Sequence, residues 1–195
     1  MDLKTFIFIG SSGCGKGTQA ELISKKLITE SPDTPIYHLE SGARFREFIK
    51  GDTHSSKLSK EIYESDVRQP DFLAVWNWSH LFVDALTGKE HLIIDGTPRS
   101  LFEAKMLDSA LDFYQYKNPV VVYINVSKEW SRAHLLNRGR SDDATLSKIN
   151  KRLAWFDTDV IPAIEYYRTR DDYHFIEVNG EQSIEKVHED IVTNL

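Results

Sequence analysis

Residues 5–9 read TFIFI, a short β-branched and aromatic run that ends at Gly10 and passes into GSSGCGKGTQ, residues 10–19. Beyond it Ala20, Leu22, Ile23 and Leu27 recur at helical spacing. A buried strand, a glycine loop and an amphipathic helix in that order restrict the chain to a small set of α/β folds. Backbone N–H groups of such a loop, at the start of a helix, form a concave anion site, and Lys16 adds a point charge. Gly10, Gly15 and Lys16 fit the phosphate-loop spacing G-x-x-x-x-G-K-[ST], but the next residue is Gly17, with Thr18 one step late. Either the loop has lost its metal-facing hydroxyl or it belongs to a different kind of nucleotide site.

Four more strand-like runs follow: IYHL (36–39), HLIID (91–95), VVVYINV (120–126) and HFIEV (174–178). Helical patterns lie between them, notably over 100–113, 128–137 and 145–170, where Pro162 is expected to kink or end the last helix. Strands alternating with helices predict a parallel sheet covered on both faces. Two stretches depart from this rhythm, a polar, mostly helical one from Ser41 to about Asp71 and a short charged one, NRGRSDDA, at 137–144. The four tryptophans, Trp76 and Trp78 of WNW among them, are expected in the core or a cleft wall.

With 195 residues, 41% hydrophobic and 28% charged, the chain suits one well-buried core. A net charge of -6 argues against a nucleic-acid partner. No apolar run approaches the roughly 20 residues that span a bilayer, so no membrane partner is expected. The N-terminus shows no cleavage-site pattern, and no signal peptide is expected. Cys14 is the only cysteine, so an internal disulfide is impossible and a reducing, cytoplasmic setting fits.

Asp95 closes a strand, the place where ligands gather in open α/β sheets, and can orient metal-bound water there. Arg99, four residues on, can clamp a phosphoryl oxygen. Arg44, Arg46, Arg99, Arg138, Arg140 and Arg152 fall in the two excursions or at element ends, where they can converge. Phosphoryl transfer needs such a set of cations in a closed, dry site and little covalent help.

These motifs together resemble the adenylate kinase family of nucleoside monophosphate kinases. GSSGCGKGTQ resembles that family's G-x-P-G-x-G-K-G-T-Q; ESGARFR (40–46) resembles T-G-D-x-x-R; RQPD (68–71) resembles V-P-D; DGTPRS (95–100) resembles D-G-F-P-R-T. NRGRSDD (137–143) is similar to a short lid, and INKRLAWF (149–156) to the helix after it. The resemblance runs in order from residue 5 to about 180. It implies a three-layer α/β sandwich of the P-loop NTPase type with a five-stranded parallel sheet. The core would span 1–40, 73–137 and 145–195, with a helical monophosphate-binding insertion at 41–72 and a lid at 138–144. It also implies transfer of the γ-phosphoryl of ATP, carried with Mg²⁺, to a nucleoside monophosphate, with AMP the first choice. GMP, dGMP, UMP or CMP as acceptor, or a non-catalytic nucleotide-binding module, remain alternatives. By the same resemblance ATP meets Gly13, Cys14, Gly15, Lys16, Gly17, Thr18, His134 and Arg138. The monophosphate meets Ser41, Gly42, Arg46, Gly96, Arg99, Glu103, Arg140 and Arg152. Lys16, Arg99, Arg138, Arg140 and Arg152 serve the transfer; Asp95, through water, and Thr18 face the metal. Short-lid relatives are commonly monomers.

Three positions depart from the family. Ser12 stands where proline is usual, and only a change in loop stiffness is expected. His134 replaces the arginine that stacks on the donor adenine, which leaves donor preference open. Glu103 replaces a glutamine that reads the acceptor adenine. An ionised glutamate only accepts hydrogen bonds, so it faces the N1 lone pair of adenine badly and suits the adjacent N–H groups of guanine. Alternatively Glu103 points to solvent and the base is read by backbone.

Overall fold

The computed structural model describes residues 3–65, 67–139 and 145–195. In chain order its elements are β1 (Thr5–Gly10), α1 (Lys16–Glu30), β2 (Ile36–Glu40), α2 (Ser41–Phe48), α3 (His54–Glu64), α4 (Asp71–Ala85), β3 (His91–Asp95) and α5 (Leu101–Phe113). They continue with β4 (Val120–Asn125), α6 (Lys128–Arg138), α7 (Leu146–Trp155), a π turn (Phe156–Val160), α8 (Ile161–Arg168), β5 (His174–Asn179) and α9 (Ile184–Thr193).

All five strands pair in parallel in the order β2-β3-β1-β4-β5. Alternate side chains of β1 leave on opposite faces, and both faces are buried. Ile7 and Ile9 join Trp78, Phe82, Leu107 and Tyr167 under α4, α5 and α8. Phe6 and Phe8 join Ala20, Ile23, Val187 and Ile191 under α1 and α9. Continuous apolar strands are therefore what the sequence shows, rather than alternating ones. A third cluster, Leu135 with Ile149 and Leu153, packs α6 on α7. The register aligns Asp95 with Phe8 of β1 and Glu40 of β2, so the loops leaving these strands open along one edge.

The helix expected over 145–170 is interrupted. Pro162 lies in the first turn of α8, and the backbone before it widens, with the Ile161 N–H donating to Phe156 O. Proline has no N–H to continue the ladder, and the π turn absorbs the mismatch. Among the tryptophans, Trp78 is in the core and Trp155 lines the cleft described below, as expected. Trp76 is not. It is 41% exposed and stacks on His80, with Phe48 at its edge. Trp130 is half-buried and stacks on His134, one helical turn along.

Candidate active site

Helix α1, like α2, α4 and α8, starts without a side-chain cap. Thr53, Ser100, Ser127, Thr145 and Ser183 cap α3, α5, α6, α7 and α9 by accepting from a backbone N–H. The N-cap of α1 is Gly15, left-handed at φ 96°, and no side chain caps the helix. The first N–H groups of α1 are thus left for an external anion. Lys16 folds back over the loop, its Nζ donating to Gly10 O and Ser11 O at 2.8 Å each and approaching Cys14 Sγ at 3.6 Å. Cys14 is 5% exposed and serves as a small packing residue. Gly13 is small because α6 is close: a Cβ there would lie 2.9 Å from Ser131 O.

Gly17 resolves the question raised by the loop. A Cβ at that position would lie 3.3 Å from Asp95 Oδ2. The residue after the lysine is side-chain-free because the β3 carboxylate already fills that space. The Asp95 carboxylate of β3 therefore stands beside the glycine that follows the lysine, and Thr18 lines the same cleft.

The opposite wall is built on the turn after Asp95. Gly96 has φ 82°, the peptide bond before Pro98 is cis, and Arg99 Nε donates to Gly96 O at 2.7 Å. Ser41, at the start of α2, donates to the same carbonyl at 2.7 Å, and Asn77 Nδ2 holds Ser41 O at 3.1 Å. The guanidiniums of Arg46 and Arg99 converge on Gly42, where a Cβ would meet a nitrogen of each at 3.3 Å. From α7, Arg152 Nη2 donates to Ser12 Oγ at 3.1 Å. Three guanidiniums and Lys16 thus line one cleft of about 610 Å³, along with Arg138 and His134 at the end of α6. Arg44, expected in the same set, does not line it and lies on the exposed side of α2. Arg140, with the rest of 140–144, lies outside the described residues.

Residues 8–172 match the family profile described as adenylate kinase. An adenylate kinase of Azobacteroides pseudotrichonymphae is 32% identical over 95% of this chain and 94% of its own length. Adenylate kinase 1 of a Nostoc species is 31% identical over 97% of each chain. An adenylate kinase of Bacteroides fragilis is 30% identical over 95% of this chain and 94% of its own. The chain belongs to the adenylate kinase family.

Against that family pattern, Glu103 is the residue whose placement differs most from expectation. It is 3% exposed, so the solvent-facing alternative does not hold. Its Oε1 accepts from Thr97 Oγ1 at 2.7 Å and its Oε2 from the Arg99 N–H at 2.5 Å, while its own N–H donates to Ser100 Oγ at 3.2 Å. Ser100 and Glu103 form a capping box whose carboxylate reaches back one residue further than usual. The signature S-x-x-E before an apolar run was available in the sequence. Thr97, where the family motif has phenylalanine, supplies the second donor. The carboxylate borders the cleft while bracing the turn that carries Arg99.

His134 stands where the adenylate kinase motif places an arginine. Its ring stacks on Trp130 with centroids 4.5 Å apart, and Nδ1 lies 3.0 Å from Trp130 O, so the cleft meets a flat, supported ring. The sequence reading did not single out Arg68 and Asp159, which face each other across the cleft at 3.5 Å and link the stretch before α4 to the π turn. No group of three His, Cys, Asp or Glu side chains able to hold a metal occurs among the described residues. Asp95 and Thr18 are hard oxygen donors suited to a hydrated divalent cation that arrives with phosphate ligands of its own.

Proposed function

We propose that the chain transfers the γ-phosphoryl group of ATP to a nucleoside monophosphate, with AMP the primary acceptor and two nucleoside diphosphates as products. The observation that carries this reading is the cleft. An uncapped helix start with Lys16 stands on one side, Arg46 and Arg99 converge on the other, and Arg152 lies between them. Two anions of high charge fit such a cleft with the group to be transferred between them.

The loop from Gly13 to Thr18 binds the donor phosphates through N–H groups and Lys16, which exchanges its two carbonyl contacts for phosphate oxygens. Ser41, Gly42, Gly96, Arg46 and Arg99 hold the acceptor phosphate. Arg138 and Arg152 neutralise charge on the transferring group. Arg140 joins them on its motif alone. His134 stacks on the donor base and Glu103 borders the acceptor base. Asp95, with Thr18, would hold the waters of a Mg²⁺ ion carried by ATP, and that ion would supply charge neutralisation at the phosphates. The bond from the γ-phosphorus to the β,γ-bridging oxygen breaks as an acceptor phosphate oxygen bonds to that phosphorus. That oxygen is already ionised at neutral pH, its second pKa being about 6, so no general base is required. Residues 41–72 close over the ligands and exclude water that would otherwise take the phosphoryl group; the short-lid motif at 138–144 belongs to the same reading, with 140–144 outside the described residues.

No helix among the described residues is long and apolar enough to cross a membrane. The single buried cysteine suits a cytoplasmic setting, and the likeness to short-lid kinases supports a monomer acting on free nucleotides. A coupled assay for ADP formation from ATP, AMP and Mg²⁺ tests the reading. Turnover in the wild type and its loss in Lys16→Ala are expected. A wild type that binds ATP without turnover on any monophosphate would instead make the chain a binding module.

A further inference from the structure

Ser11 and Ser12 do more than vary the stiffness of the loop. Ser11 Oγ lies 2.6 Å from Ser131 Oγ, and Ser131 is fully buried on α6. Ser12 Oγ accepts from Arg152 Nη2, 140 residues away on α7. The two helices are packed on each other through Leu135, Ile149 and Leu153. The serine pair therefore fastens the phosphate loop to two successive helices, one through a neutral contact and one through a charged side chain. Ser12 and Arg152 are both half-buried and both line the cleft.

We infer that Ser12 is a positioning residue for Arg152. A free arginine side chain carries considerable rotamer entropy, and a guanidinium that must find the transferring group loses that freedom during the reaction. Here the hydroxyl holds one nitrogen of the fork at the loop that carries the donor phosphates. Proline, the usual family residue at this position, has no hydroxyl and cannot do this. The chain thus orients its α7 arginine through the donor loop itself, and Ser12 touches the reaction only through Arg152. An interaction of this kind appears in kcat rather than in ground-state binding.

This inference rests on the phosphoryl-transfer reading, and the experiment keeps the two apart. Initial rates are measured over both substrates for wild type, Ser12→Ala, Ser12→Thr, Ser12→Pro, Arg152→Ala and the Ser12→Ala/Arg152→Ala pair. Urea midpoints confirm that each variant is folded. Ser12→Ala is expected to lower kcat about tenfold, the equivalent of about 1.4 kcal/mol, with both KM values changed less than about twofold. Ser12→Thr, which keeps the hydroxyl, restores most of the rate, and Ser12→Pro behaves like alanine. In the Arg152→Ala background, Ser12→Ala has no further effect. A kcat unchanged by Ser12→Ala, wild-type rates in Ser12→Pro, or an equal loss with Arg152 absent would each overturn the inference while leaving the enzyme reading intact. A wild type without turnover removes that reading instead. If Ser12→Pro does not fold, the alanine and threonine variants and the double-mutant cycle decide the matter.

Discussion

Glu103→Ala removes both acceptors that close the turn 97–99. The Thr97 hydroxyl, on a residue only 1% exposed, and the Arg99 N–H then face each other with no carboxylate between them. Hydrogen bonds to a charged acceptor contribute about 1.5–3 kcal/mol each. Two such losses, partly relieved by water entering from the cleft, give an expected destabilisation of about 3–5 kcal/mol. That is a large share of the roughly 5–15 kcal/mol that stabilises a typical domain. Glu103→Gln keeps one carbonyl acceptor but aims an NH₂ at the second donor, so about half the loss is expected. Thr97→Val removes that second donor. In its background the glutamine can turn its carbonyl to the Arg99 N–H, and Glu103→Gln becomes nearly neutral. Urea unfolding followed by tryptophan fluorescence measures all four, with the midpoint read at constant slope. An alanine variant within about 0.5 kcal/mol of wild type, the size of an ordinary surface substitution, or additive effects in the double mutant, would refute the bracing role.

Acceptor profiling of the same glutamine variant, with AMP, GMP, CMP and UMP, asks about the base. If Glu103 also reads it, Glu103→Gln raises the AMP-to-GMP ratio of kcat/KM by about 10- to 100-fold, the worth of one mismatched buried polar pair; an unchanged ratio assigns the carboxylate to the turn alone. Gly17→Ser, which restores the general phosphate-loop hydroxyl, is expected to cost activity, because its Cβ presses on Asp95 Oδ2; a rate equal to wild type would show that the carboxylate has room to yield. Stability should fall with pH in two stages. Burial lowers the pKa of His91, with Lys4 adding to the effect, and that of His188, with Lys26 adding to it; their stabilisation is complete above the unfolded value of 6.5 and is lost as pH falls below it. Burial alone would raise the Glu90 pKa, but hydrogen bonds from Thr87, Lys89 and Tyr116 outweigh it and hold it at about 2, so its contribution is present above 4.5 and disappears as pH falls towards 2. A urea-midpoint profile flat from pH 7 to 3 would contradict both assignments.

Much of this molecule is legible in its sequence because its strands are buried on both faces. TFIFI, HLIID and VVVYINV leave no alternation to misread, and glycine or asparagine punctuates their ends. Lys16, Asp95 and Arg99 are legible for a related reason, since each lies within a few residues of a strand end whose position is clear. Relations across the chain are harder. The Ser12 hydroxyl looks like a mere loss of proline until α7 brings Arg152 to it. Arg44 and Arg46 are two residues apart on one helix and cannot share a face, yet only the packing of α2 shows which of them turns inward. Glu103 illustrates a different obstacle. The same four residues, S-L-F-E, read as a base-recognition element through the family and as a capping box through helix physics, and the two readings direct the carboxylate differently.

The π turn between α7 and α8 adds a constraint of length to these constraints of chemistry. A turn closed from residue i to i+5 holds one residue more than an α-helix would, and each residue advances a helix by about 100°. Ala163, Ile164 and Tyr167 fix the phase of α8 against the core, so the surplus residue is expressed on the other side, in the facing of α7. Removing the exposed Thr158 would take away that surplus residue and set the phase that holds Arg152 and Trp155 at the cleft against Pro162 and against the packing of Ile149 and Leu153 on α6. The number of residues between Trp155 and Pro162 is therefore itself an active-site property, one that no inventory of side chains records.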